Sequence, residues 1–421
     1  MFSKDNDRFI SFRYILLNGN FWSFFCVGAG FLSLFLAGRG MTPSLIGIFT
    51  AVFSLLAVII QPLLGNLADH HSFFNWRRMI VFISIPVMIG SILLIPLKGM
   101  MAGGFIMGMI LMLSHAIMPF ISSADYYYNS IGRRTNYGIA RAIGSGGFAL
   151  MSYIIGLLSD SYGSEVLPVM AMIFSCILIV NALTMPWLGT ASVKEHTNPA
   201  SPEDEDIAGN NAGDMDQKVT GLANKTSAPL FLAKYPGFSL MLLAVLFMYF
   251  SHNTVATYLI QVIEELGGGS EELGKALALQ AGVEIPVLFL IVPLKKRLGV
   301  DKLMIVAGFG YLIKAILYAS SYSITFIYIS QLGQMLSFAI LAGASVYYTA
   351  KHIDAQDQVT GQAFMTSMMA AGAVLGSLAG GWIIDYMGIR AMLIFNVFVA
   401  AIAAVLTLVS HFAGKRITSR K

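Results

Sequence analysis

Apolar runs of ~20 residues recur along nearly the whole chain, and each is long enough to cross a bilayer as one helix. In hydrocarbon every backbone polar group must be bonded within the spanning structure, so runs of this length fold as helices. Of the 421 residues, 57% are hydrophobic and 11% charged. A soluble protein carries about 25% charged residues, so a water-exposed globular fold is excluded. We read twelve spans: 12–38, 43–66, 78–97, 102–128, 138–159, 166–188, 237–262, 273–294, 302–320, 324–350, 360–384 and 388–412. The polar start from Met1 to Arg13 is followed by no small-residue cleavage site, so the first apolar run reads as a retained span.

Most connections are short. The exception is 189–236, where Ser201-Pro202-Glu203-Asp204-Glu205-Asp206 and the Gly/Asn/Asp run after it are too polar to bury a core. We read 1–190 as an N-terminal six-helix bundle, 191–235 as a disordered linker and 236–421 as a C-terminal six-helix bundle. The fold class expected is an all-α membrane protein of twelve transmembrane helices in two pseudo-symmetric bundles, with a site between them near the midplane. The two halves share no strong residue-level repeat, so this symmetry rests on span count and loop pattern.

Orientation follows from the basic residues. With the N-terminus in the cytoplasm, most of the 26 Lys and Arg fall on the cytoplasmic side, and the outer loops hold only Arg39, Lys98, Lys275 and Arg390. That satisfies the positive-inside rule. A multi-pass protein of a bacterial inner membrane, both termini cytoplasmic, is expected.

Four charges lie inside the spans: Asp125, Arg141, Glu284 and Lys314. A charge at membrane depth is costly and usually lines a substrate or ion path. Asp125 and Arg141 lie equally far from the turn near Arg133, and Glu284 and Lys314 equally far from Gly299. Each hairpin therefore allows an opposite-sign pair. The competing reading of each is a structural ion pair that only holds helices together. Two acids and two bases cancel, which points to a polar, roughly neutral cargo. A carboxylate accepts and a guanidinium donates several directed hydrogen bonds, as a hydroxyl-rich ligand requires.

Neutral polar residues share these spans: Asn18, Asn20, His115, His252, Asn253, Gln261, Gln280, Gln331 and Gln334. Most such groups join helices by single hydrogen bonds. Gln331 and Gln334, three apart on one helical face, are the better solute-binding candidates, with Phe148 as a stacking platform. Tyr126-Tyr127-Tyr128 reads as an interfacial belt, and Cys26 and Cys176 as two packed thiols. Small residues crowd span 5 (Gly144-Ser145-Gly146-Gly147) and span 11 (Gly372, Gly376, Gly380), which permits close helix approach. Gly144 to Gly147 lacks the Lys-Ser/Thr ending of a phosphate loop. No metal-ligand spacing, cofactor motif or catalytic constellation is present. The chain is therefore expected to be no enzyme, to carry no cofactor or metal and to bind no nucleic acid. Its partners are expected to be a small-molecule solute, protons and membrane lipid, and its state a monomer.

Several motifs resemble those of the major facilitator superfamily, in particular the lactose permease-like oligosaccharide:proton symporters. Ser44 to Ile48, Phe53 to Leu56 and Gln61 to Asp69 are similar to span 2 of that group, and Gly65 to Asp69 to its Gly-x-x-x-Asp loop motif. His70 stands where a basic residue is usual, and Arg77-Arg78 come late. The resemblance implies gating roles for Gly65 and Asp69. Arg133 to Gly144 resembles the span 4–5 connection, which implies sugar-binding roles for Asp125 and Arg141. Phe148 falls where lactose permease has a stacking Trp, which argues against lactose itself. Glu284-Ile285-Pro286 resembles span 8, a feature shared with the phenylpropionate-permease-like branch, and Lys314 matches a span 9 arginine position. Gln334 and Ser337 stand where the family keeps its proton-handling His and Glu, leaving Glu284, with Lys314 beside it, as the proton carrier expected here. Span 5 lacks the Gly-Pro motif of the drug antiporters, which weighs against efflux. The function expected is proton-coupled import of a sugar or similar small polar solute by alternating access. The alternatives are a permease for an aromatic acid or nucleoside and, in another class, a transport-dead sensor or scaffold.

Overall fold

A computed structural model describes residues 4–71, 73–133, 135–186 and 228–418. The acidic stretch of the expected linker lies outside them. Residues 228–234, which the sequence reading placed in that linker, instead form a short helix.

The first group of helices is α1 (Lys4–Phe25), α2 (Leu32–Gly38), α3 (Pro43–His70), α4 (Trp76–Leu94), α5 (Met100–Ser130), α6 (Tyr137–Tyr162) and α7 (Val166–Thr184). The second is α8 (Ala228–Lys234), α9 (Pro236–Thr257), α10 (Leu259–Glu265), α11 (Ser270–Leu298), α12 (Val300–Ala319), α13 (Ile324–Leu332), α14 (Phe338–His352) and α15 (Gln358–Thr418). Among the described residues nine helices are long and apolar enough to cross a membrane, or ten when the bent pair α1 and α2 counts as one span. The longest, α15, is two spans: Gly388 has φ 84°, a conformation open to glycine and strained for other residues, and it breaks the helix in the middle. The remaining span is α12, twenty residues long and carrying Lys314. Twelve spans result.

Three spans are not continuous helices. In span 1 a π-turn, Cys26–Gly30, continues α1, and the helix then bends by 42° at Phe31 into α2. Span 7 breaks at Tyr258, between α9 and α10. Span 10 tightens into a 3₁₀ turn, Gly333–Met335, between α13 and α14. Hydropathy averages over such breaks, so the apolar runs did not reveal them.

Chain contacts divide the protein into two compact units, Met1–Arg39 with Leu56–Asp216, and Gly40–Leu55 with Gln217–Lys421. In the first, Arg39 and Lys98 share Glu165, and Arg77 donates to the carbonyls of Ala182 and Leu183, satisfying the end of α7. Tyr128 is fully buried and donates to the Pro186 carbonyl, so it belongs to the core and not to an interfacial belt. Cys26 is buried beside Ser152 as expected, whereas Cys176 is exposed. In the second unit the core runs through Phe238, Val245, Met304, Tyr311 and Tyr348. Here Gly372 and Gly376 lie against the backbone of α9, where a Cβ would collide with the carbonyls of Leu246 and Phe250. The segment 40–55 joins this unit partly through Tyr258, whose hydroxyl meets the carbonyls of Ser377 (2.5 Å) and Pro43 (3.1 Å).

Candidate functional site

The first unit holds Asp125 and Arg141 on neighbouring helices, but gives them separate partners. Asp125 is half-buried in the last turns of α5, and its carboxylate accepts from Thr135 Oγ1 (2.6 Å) and Asn129 Nδ2 (3.0 Å). Thr135 belongs to the turn after α5, so the carboxylate ties the end of its own helix to that turn. Asn136 then caps α6, its side chain accepting from Ile139 N at 3.0 Å. Arg141 follows one turn later. Its Nη1 donates to Ser145 Oγ (2.6 Å), and its guanidinium lies over the Trp22 ring, 3.7 Å from the centroid. The equal depth expected of the two charges placed them on one hairpin without directing them at each other. Trp22 was not singled out in the sequence, because one aromatic in an apolar run carries no signal of its own. Phe148 lies on the same helix as Arg141, half-buried.

The second unit assembles its polar groups into one chain. Lys314, on α12, donates to Gln334 Oε1, and Gln334 Nε2 donates to Glu284 Oε1 on α11 at 2.8 Å. All three are buried: Glu284 is 8% exposed, Lys314 6% and Gln334 0%. The orientation of the amide follows from its neighbours. An ammonium only donates and a carboxylate only accepts, so the oxygen must face Lys314 and the nitrogen Glu284. The 3₁₀ turn puts Gln334 there, and Gly333 lets the lysine stem close in, since a Cβ at Gly333 would stand 3.0 Å from Lys314 Cβ. Gln334, expected to bind solute, is here the bridge between the two charges. Gln331 is fully buried on the preceding turn.

Lys314 also lines a pocket with His252, Gln280, Tyr311, Tyr318 and Asn396. His252 stacks on Phe338, ring centroids 5.0 Å apart. Tyr311 Oη and Asn396 Oδ1 are buried without a protein hydrogen-bond partner among the described residues. Of these, His252 and Gln280 stood out in the sequence. Tyr311 and Asn396 did not, because nothing in their spacing separates them from other polar residues of apolar helices.

The two gating candidates sit at the end of α3. Asp69 is exposed, and a Cβ at Gly65 would meet nothing within 4 Å. Among the described residues no group of three or more His, Cys, Asp or Glu could hold a metal ion.

Comparison with known proteins gives the chain's family and fold. Residues 14–397 match the model of the MFS_1 like family. The maltose permease of Geobacillus stearothermophilus is 26% identical over 388 residues, covering 89% of this chain and 88% of the permease. The solved nucleoside transporter NupG superposes with a TM-score of 0.71 at 13% identity, covering 96% of this chain and 98% of that one. A bacterial homologue of the human lysosomal transporter Spinster, inward-facing and unoccupied, gives 0.65 at 15% identity, covering 97% and 98%. The fold is thus the twelve-helix fold of those transporters, which accounts for the apolar spans. The chain belongs to the MFS_1 like family of the major facilitator superfamily, and is a multi-pass membrane carrier of a small-molecule solute rather than an enzyme.

Proposed function

We propose that the carrier imports a sugar or a similar small polar solute together with protons, by alternating access. The observation that carries the coupling is the buried chain Lys314–Gln334–Glu284. A carboxyl placed this deep, linked to an ammonium through a single amide, can exchange a proton when that link opens or closes. Glu284 is the proton carrier in this reading, Lys314 its counter-charge, and Gln334 the connection. Arg141 and Asp125 bind the solute's hydroxyls, with Phe148 and Gln331 at its periphery. Gly65 and Asp69 serve the movement of α3. The likeness to a maltose permease across most of both chains supports a saccharide.

A nucleoside or aromatic acid is the second reading, supported by Glu284-Ile285-Pro286 in span 8. Uptake of labelled maltose and labelled uridine into right-side-out vesicles, with and without an imposed pH gradient, separates the two. Gradient-dependent maltose accumulation is expected. Uridine accumulation alone would replace the saccharide reading, and uptake of neither would remove both readings of the solute. The same reading puts a monomer in a bacterial inner membrane with both termini inside. A cysteine introduced at Ser201 should then react with an impermeant maleimide only after the membrane is opened. Labelling of intact cells would reverse the topology.

A further inference from the structure

We infer that Trp22 and Gly144 are a positioning pair for Arg141: the indole is the bed on which the guanidinium is laid, and the missing side chain of Gly144 is what lets the indole reach it. The inference rests on the reading of Arg141 as a solute-binding group and adds residues that neither the sequence motifs nor the family assignment supplied.

Four observations carry it. The Arg141 guanidinium carbon stands 3.7 Å from the Trp22 ring centroid, well within cation–π range. Such stacking uses the face of the guanidinium, while its N–H donors point outward in the plane, so the indole fixes that plane without consuming a donor. Second, Ser145, one turn beyond, holds Nη1 at 2.6 Å and sets the rotation within the plane. Third, a Cβ at Gly144 would run into Trp22 Cδ1, and one at Gly147 would stand 2.9 Å from the Gly19 carbonyl. The run Gly144-Ser145-Gly146-Gly147 is therefore more than a generic close-packing stripe: its first residue seats one named side chain. Fourth, Trp22 is itself braced. Phe21 and Phe25 meet it edge-on at 5.5 and 5.3 Å, and Phe25 meets His115 at 4.9 Å. An arginine alone has long rotamer freedom. On a braced indole it presents its fork in one orientation, as directed recognition of hydroxyls requires.

The test combines a solute-independent measurement with a kinetic one. In a protein whose only tryptophan is Trp22 (Trp76, Trp187 and Trp382 replaced by Phe), the stack predicts an emission change when Arg141 is replaced by Ala, and a comparable change in Gly144→Ala. Identical spectra in all three would overturn the stack. In vesicles carrying the wild-type tryptophans, labelled maltose and labelled uridine are the probes. For whichever is transported, Trp22→Leu and Gly144→Ala should raise KM about tenfold with kcat little changed, the size expected of one cation–π contact. Trp22→Phe, which keeps a ring, should recover most of that loss. Unchanged KM in Trp22→Leu, at normal membrane abundance, would overturn the positioning role even with the stack confirmed. If neither probe is transported, the solute reading fails, while the emission measurement still decides the geometry.

Discussion

The two units handle membrane-embedded charge in different ways. In the first, Asp125 and Arg141 are half-buried and satisfied close to home, by Thr135 and Asn129 and by Ser145 and Trp22. Most of these bonds join residues within about ten positions in the chain. In the second, Lys314, Gln334 and Glu284 come from three spans and are buried together. Removing one charged member leaves the other buried without its counter-charge. The contrast is between charges held locally and charges held tightly across three spans: on the proposed reading the first serve a solute that must enter and leave, and the second a coupling element that must resist leak.

The largest expected effect tests the tight side. Lys314→Met should destabilise the purified protein by about 3–5 kcal/mol, because Glu284 is left buried without its counter-charge. Thermal unfolding in detergent measures this, and the double replacement Lys314→Met with Glu284→Met should regain most of the loss. A single replacement as stable as wild type would erase the contrast between the units. Next comes Glu284→Gln, which keeps shape and removes the charge. It should abolish gradient-driven accumulation while preserving solute exchange across the membrane. Retained accumulation would move the proton elsewhere.

For the locally held charges the effects are smaller and kinetic. Arg141→Lys keeps the charge but loses the planar fork, so transport KM should rise about tenfold with the melting temperature unchanged. A large drop in melting temperature would place Arg141 with the structural charges of the second unit. The smallest effect belongs to a charge outside the membrane altogether. Lys234 bonds Asp357 and Asp354, and the hydrogen bonds it makes with Asp357, Tyr235 and Asp354 as acceptors raise its pKa. A raised lysine contributes fully below its ordinary value and loses that contribution only as pH climbs through the raised one. Lys234→Ala should therefore shift melting by a small amount that stays constant between about pH 6 and about pH 9. A difference that grows across that interval would show that another titrating group shares the cluster.

Much of this architecture was legible in the residues. Hydropathy marks the spans because lipid imposes one solution on an apolar run. Asp125, Arg141, Glu284 and Lys314 stand out because a charge there is rare. What stayed hidden was facing and partnership. Gln334 looked like a ligand group beside Gln331, and only the 3₁₀ turn at Gly333 shows that it joins Lys314 to Glu284. Trp22 was invisible because hydropathy does not distinguish a core aromatic from one beneath a guanidinium. Tyr128 looked interfacial because its place near a span end says nothing of the Pro186 carbonyl it reaches. Residues 228–234 read as linker because seven residues are too few to show a period.

The π-turn at Cys26–Gly30 has a consequence for how span 1 tolerates change. Such a turn accommodates one residue more than a regular helix would place there. The extra residue is absorbed in the bulge, so the segments on either side keep their own facing: Trp22 toward α6 before it, and buried Leu32 to Leu36 after it. Loss of one residue from the turn would thus convert it to ordinary helix with the facing of both segments kept, whereas loss of a residue elsewhere in the span would rotate one segment by about 100° relative to the other. The span is two cassettes joined by a spacer, and its alignment with any relative should be read on each side of Gly28 separately. A one-residue gap there marks a change of helix geometry, not a change of binding residues.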